Sequence, residues 1–279
     1  MGTLYLVATP LGNLEDITLR ALRILREVSL IATEDTRTTG QLLKHFDIRR
    51  PLVSYYEHNK VTRQGRVLAA LAEGDVALVS EAGTPLLSDP GYELVRAAVE
   101  QGFQVISIPG PSALMAALPA SGLTTDRFLF LGFLPRKRGD RRRFLQEVAA
   151  EQATLVFFEA PHRLRETLAD MINLLSGDRS VAVCRELTKL HEEIWRGTLA
   201  EAQQEWTQRE PRGEFTLIVA GALPELEWNQ AQVEAGLAQA LAGGASVKDA
   251  VRQLTDQSGW GKREVYSLAQ KIKMLKQRR

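Results

Sequence analysis

The 279-residue chain has a single cysteine, Cys184, so no intramolecular disulfide forms and a reducing compartment is expected. It has almost no net charge, +1 at pH 7, so overall charge gives no argument for a nucleic-acid partner. No stretch approaches the ~18 apolar residues of a membrane-spanning helix. The opening MGTLYLVATPLGN lacks a basic start, and its apolar run is too short for a secretory signal. These absences predict a soluble, cytoplasmic protein. No GxGxxG follows the first apolar run and no GxxxxGK(S/T) occurs, which disfavours a dinucleotide site and a phosphate-cradling P-loop. His45, His58, His162 and His191 show neither HxxxH nor HExxH spacing, and Cys184 completes no cysteine motif, so no metal site is expected. Internal repeats and low-complexity segments are missing too.

What is present is an ordinary globular composition, 44% hydrophobic and 25% charged, arranged as strand-length apolar runs that alternate with segments of helical period. The first series predicts strands over 3–9, 28–33, 52–55, 76–80 and 104–108, with helices over 16–27, 38–46, 61–72 and 92–101. A second series predicts strands over 128–133, 154–158, 180–185, 194–199 and 215–220, with helices over 112–120, 140–150, 163–175 and 200–209. Such alternation argues an α/β fold, and its two series divide the chain into domains 1–111 and 112–224. After Pro224 the strand pattern stops. Helices over 230–242, 247–257 and 262–276 make 225–279 a helical appendage, whose last two helices resemble an RNA-binding helix-turn-helix, an ordinary helical hairpin being the alternative.

Four predicted strands end in unusual loops: TPLGN at 9–13, EDTR at 34–37, SEAGTP at 80–85 with SDPG at 88–91, and PGPS at 109–112. Glycine and proline there allow tight turns and bring bare backbone groups close to a ligand. Ligands of α/β sheets gather beyond the carboxyl ends of strands. Four such loops together point to a ligand cleft.

The ordered set YLVATPLGN, ATEDTR, SEAGTP with SDPG, PGPSA, FFEAPHR and CRELTK resembles the tetrapyrrole-methylase superfamily over residues 4–220. Within it the set is similar to the branch that 2′-O-methylates a cytidine in the decoding region of 16S ribosomal RNA. The resemblance implies two α/β domains, S-adenosylmethionine in the cleft between them, a homodimer, and ribosomal RNA or the small ribosomal subunit as partner. Matched residue by residue, it implies a cofactor site of Leu11, Glu81, Ala82, Gly83, Thr84, Ser112 and Ala113, with Phe158, Leu187 and Phe215 near the adenine. Glu81 stands where the related pattern has Asp, one methylene shorter.

Methyl transfer to a ribose hydroxyl is an in-line displacement, helped by alignment and by a base or cation near the oxygen. Candidates are Glu34, Asp35 and Arg37, Glu159 with His162 and Arg163, and Glu186 with Lys189. Each has a plain structural alternative. Asp35 fits a helix cap, His162 fits a helix start, and Glu186 with Lys189 fits a solvated pair. The sequence does not choose among them.

Two basic segments argue for RNA. PRKRGDRRR at 135–143, predicted as a loop, carries Arg136, Lys137, Arg138, Arg141, Arg142 and Arg143 against Asp140. Residues 246–279 hold nine Lys and Arg, among them Lys262, Arg263, Lys271 and Lys273, against three acids. A solvated helix face is the alternative. Two competing functions share these features. Methylation of a tetrapyrrole such as a corrin precursor suits a basic loop. A non-catalytic RNA-binding protein leaves the glycine–proline loops without a purpose.

Overall fold

A computed structural model of the protein describes residues 2–56, 60–223 and 228–277. His58, and the side chains at 60–63 and 273–277, including the candidate Lys273, lie outside the described residues. The described chain forms two compact units, Met1–Ala222 and Leu223–Arg279.

In the first unit the chain runs β1 (Thr3–Val7), α1 (Leu19–Glu27), β2 (Leu30–Thr33), α2 (Thr36–His45), β3 (Leu52–Ser54), α3 (Lys60–Glu73), β4 (Val76–Val79), α4 (Tyr92–Glu100) and β5 (Gln104–Ile108). These strands pair in parallel in the order β3-β2-β4-β1-β5. The connections out of β1 and β4 lead to opposite sides, which opens a crevice beyond their carboxyl ends.

The chain continues through α5 (Ala113–Ala120), β6 (Phe128–Phe133), α6 (Arg138–Glu147), β7 (Thr154–Glu159), α7 (Leu164–Leu175), β8 (Ser180–Arg185), β9 (Glu193–Thr198), α8 (Leu199–Gln208) and β10 (Phe215–Val219). This second sheet, β6-β7-β10-β8-β9, is mixed: only β6 and β7 run parallel.

Both sheets are covered on two faces. Around the second, Leu155, Phe157, Leu217 and Trp206 pack with α6, α7 and α8, while Val156, Ala182, Cys184 and Ile218 pack under α5. A fully buried side chain of this size contributes about 1.5–3 kcal/mol.

Several ends differ from the sequence expectation. Helix α1 starts at Leu19 because the Thr18 hydroxyl accepts from Ala21 N at 3.0 Å, after one 3-10 turn at Leu14–Asp16. Strand β1 stops at Val7 because Thr9 is drawn into a bridge with Gly83. Helix α6 begins at Arg138, two residues earlier than expected, so most of the basic run is helical rather than a loop.

The second unit is three helices, α9 (Gln230–Ala242), α10 (Val247–Ser258) and α11 (Lys262–Gln277). They enclose Val233, Leu237, Ala250, Val251, Leu254, Val265, Leu268 and Ala269. Asn229 and Ser246 cap α9 and α10, and Gly259, at φ 71°, ends α10 in the left-handed region. No helix of the described residues is long and apolar enough to cross a membrane.

Candidate active site

The loops after β1, β4 and β5 lock onto one another. Thr9 N donates to Gly83 O and Gly83 N to Thr9 O, both at 2.9 Å. The Ser80 hydroxyl donates to Gly83 O at 3.1 Å, and the Thr84 hydroxyl to Pro111 O at 3.0 Å. Gly83 sits at φ 82°, and a Cβ there would lie 3.1 Å from Leu11 Cδ2. Glycine is therefore required by both conformation and space. Ser112 caps α5. Leu11, Ala113 and Phe130 pack into the same apolar cluster as Leu187. The Phe158 ring stands edge-on to Phe130 with centroids 5.0 Å apart. The fold thus brings together Leu11, Gly83, Thr84, Ser112, Ala113, Leu187 and, through Phe130, Phe158. Ala82 and the exposed Glu81 belong to the same loop.

The turn after β8 closes one side of this cleft. Glu186 and Thr188 both adopt positive φ, 50° and 67°, a strained arrangement that concentrates at functional sites. The Lys189 stem lies over Gly12, where a Cβ would be 2.3 Å from Lys189 Cγ. Its Nζ donates to Glu186 Oε1 and Glu214 Oε2, both at 2.9 Å. Burial works against the Lys189 charge, but these hydrogen bonds outweigh it and raise the pKa. Glu186 and Lys189 are therefore a fixed pair rather than a solvated one. Thr188 Oγ1, beside Leu187, is shielded from solvent with no hydrogen-bond partner among the described residues.

The carboxylates divide sharply. Asp35 is the α2 cap: its Oδ1 accepts from Arg37 N at 2.7 Å and its Oδ2 pairs with Arg37 Nη2 at 2.8 Å. The Arg37 side-chain bond leads in holding Asp35 down at about 2, so it is a poor proton acceptor. Glu34 is raised, first by burial, then by Glu81 and Asp35. Asp89, which sequence reasoning passed over, is pushed up to about 6, first by burial, then by Glu34, with the Ser80 hydroxyl opposing and Glu81 adding. In SDPG it reads as a turn former, and only the fold sets it beside the other acids.

Three expectations are corrected. In β10, Phe215 pairs with Glu159 and Thr216 with Phe158. Side chains alternate along a strand, so Phe215 and Glu159 share the face opposite Phe158. Phe215 is 2% exposed, edge-on to Trp206 at 5.0 Å, and lines the helix-covered core instead of the cleft. Glu159 is likewise buried, accepting from Thr167 Oγ1 at 2.5 Å and Ala160 N at 2.8 Å, with Arg163 Nε at 3.4 Å. Arg163 Nη2 donates to Leu134 O and Pro135 O at 2.8 and 3.0 Å. The two form a latch between strand ends. His162 is exposed in the 3-10 turn Pro161–Arg163.

The third correction concerns the basic run. Arg141 is 1% exposed, its Nε donating to Asp170 Oδ2 at 2.9 Å and its Nη2 to Glu166 Oε2 at 3.2 Å. Arg142 reaches Asp170 Oδ1 at 3.0 Å and Arg138 reaches it at 3.7 Å. Three of these cations converge on one buried carboxylate. Arg136, Lys137 and Arg143 are exposed, as are Lys262, Arg263 and Lys271 in α11.

The sequence model of the tetrapyrrole (corrin/porphyrin) methylases matches residues 3–203. The chain belongs to this family. It is a methyltransferase, and the resemblance in its loop motifs is that of a true member. A protein of Halalkalibacterium halodurans called ribosomal RNA small subunit methyltransferase I is 50% identical, over 96% of this chain and 94% of that protein. One of the same name from Synechocystis sp. is 49% identical over 96% and 98%. The Thermotoga maritima protein of that name is 48% identical over 222 residues, 79% of this chain and 99% of its own length. Among solved structures, uroporphyrin III C-methyltransferase from Thermus thermophilus shares the fold at TM-score 0.58 and 20% identity, covering 78% of this chain and 97% of that one.

Proposed function

We propose that the methylase transfers a methyl group from S-adenosylmethionine to the ribose 2′-oxygen of a cytidine in the decoding region of 16S ribosomal RNA, in the cytoplasm and as a homodimer. The observation that carries this reading is the set of relatives that bear the ribosomal RNA name and are about half identical over nearly their whole length. In this reading the chain has two α/β domains, 1–111 and 112–224, followed by a helical region, 225–279.

The cleft suits a small zwitterion with an aromatic ring. Bare backbone at Gly83 and the unpartnered Thr188 hydroxyl offer polar groups, and Leu11, Ala113 and Leu187 offer an apolar wall. When bound, S-adenosylmethionine supplies an electrophilic methyl carbon on a sulfonium sulfur, so an S–C bond breaks as the O–C bond forms. Thr84, bonded to Pro111, and Ser112, capping α5, hold the walls of the cleft in place. As the acceptor of the proton that the 2′-hydroxyl loses we propose Asp89, which in the loop after β4 stands by Ser80, Glu34 and Glu81 and is raised by burial to about 6. Arg136, Lys137 and Arg143, with Lys262, Arg263 and Lys271, bind phosphates and orient the strand.

The test is methyl transfer from labelled cofactor to small ribosomal subunits, to free 16S RNA and to a porphyrinoid, each with the wild-type protein. Label on the cytidine ribose supports the reading. Label on the porphyrinoid alone overturns it in favour of tetrapyrrole methylation.

A further inference from the structure

Helix α2 walls a recess of ≈ 320 Å³ that opens beside the cofactor loops and is lined on one side by Thr9, Pro10, Ser80 and Glu81 and on the other by Thr38, Gln41, Leu42 and His45. Thr38, Gln41, His45 and Glu81 are exposed, and none makes a side-chain hydrogen bond among the described residues. Pro10 and Leu42 provide apolar surface, and the His45 ring, edge-on to Phe46 at 4.8 Å, provides an aromatic one. Volume, apolar walls and a few convergent polar groups are the features of a small-ligand site. Nothing in the cofactor assignment uses Thr38, Gln41 or His45.

Charge on the outer flank of the same helix points to a nucleotide. A second recess, ≈ 450 Å³, is lined by Lys44, Arg49 and Arg50 with only Asp47 opposing. All three cations are exposed, and Arg50 is steadied by donating to Arg26 O. One side of α2 thus offers hydrogen-bonding groups and a stacking surface, and the other offers positive charge for phosphates.

We infer that the recess between α2 and the β4 loop receives the target base, a cytosine splayed out of its strand, with Glu81 and Gln41 reading its Watson–Crick edge. This rests on the proposed RNA reading. A carboxylate accepts from the cytosine amino group, whereas uracil presents an acceptor at that position and is repelled. The Gln41 amide N–H donates to the N3 and O2 acceptors of the remaining edge. Lys44, Arg49 and Arg50 hold the neighbouring phosphates. Glu81 lines the recess directly.

The experiment uses the full-length protein and small subunits carrying either cytidine or uridine at the target position. For wild type, Gln41→Ala, His45→Ala and Glu81→Gln, it measures kcat and KM for each substrate and S-adenosylmethionine affinity by calorimetry. The expected result is that Gln41→Ala lowers kcat/KM for cytidine by about tenfold, with unchanged cofactor affinity, and that Glu81→Gln narrows the cytidine-to-uridine ratio by about tenfold. Variants that bind cofactor normally and keep the wild-type kcat/KM and ratio overturn the inference alone. A wild type that methylates neither subunit overturns the RNA reading and, with it, this one.

Discussion

The two basic segments of the methylase look alike as strings and behave differently in the fold. In the first unit, Arg138, Arg141 and Arg142 turn toward Asp170, whose side chain is 3% exposed. In the second unit, Lys262, Arg263 and Lys271 lie on the outer face of α11, away from a core of Val265, Leu268 and Ala269. Positive charge in one place neutralises a buried acid and in the other faces water. A run of like charges in sequence is therefore ambiguous until the nearest carboxylates are placed. The loops that form the candidate cleft all lie in the first unit.

The sharpest test of that division is Gly83→Val. A β-branched side chain at φ 82°, against Leu11, fills the space where backbone meets ligand. Cofactor binding should fall below detection by calorimetry, while the circular dichroism spectrum stays that of the wild type. Wild-type affinity in this variant would remove the cleft from the first unit.

Next is Asp89→Asn, expected to lower methyl transfer by about 100-fold and to remove the acid limb of the pH–rate profile near pH 6. Its stability effect has the opposite sign. The folded pKa, about 6, lies above the ordinary 3.8, so the wild-type carboxyl favours the fold most below pH 3.8. That contribution is lost as pH rises through 6. Asparagine escapes the loss. Urea midpoints should show the variant gaining on wild type by about 1 kcal/mol at pH 8 relative to pH 4, the partial exposure of the group limiting the gain. An equal difference at both pH values would mean that Asp89 is not desolvated.

Arg141→Ala should destabilise the first unit by about 3 kcal/mol, because Asp170 then stays buried with weaker partners. Arg136→Ala with Lys137→Ala should leave the melting temperature unchanged and weaken RNA binding. If both variants melt alike, the buried cluster carries no stability and the contrast between the two basic segments fails.

The smallest expected effect is on salt dependence. Replacing Lys262, Arg263 and Lys271 with Ala should leave cofactor affinity intact and reduce the slope of log affinity against log salt by roughly 0.7–0.9 for each phosphate released. Equal slopes for variant and wild type would make α11 a solvated face only.

Much was legible before the fold. The strands over 104–108, 128–133 and 180–185 and the helix over 230–242 sit where their pattern put them, because short apolar runs bounded by turn residues mark strands even at a sheet edge and a helix packed on one side writes a 3.6-residue stripe. Glycine and proline marked the loops after β1, β4 and β5 by their own backbone limits, and the family resemblance named Leu11, Gly83, Thr84, Ser112, Ala113 and Leu187, which lie close together in the fold. Tertiary structure alone decided the rest. Which face of β10 carries Phe215 depends on register with β7, and no local pattern fixes that in a strand buried on both sides. Glu159 and Asp89 are the same kind of group in the sequence. One became a latch and the other a raised acid because a carboxylate's behaviour is set by its desolvation and its neighbours, and those come from residues distant in the chain.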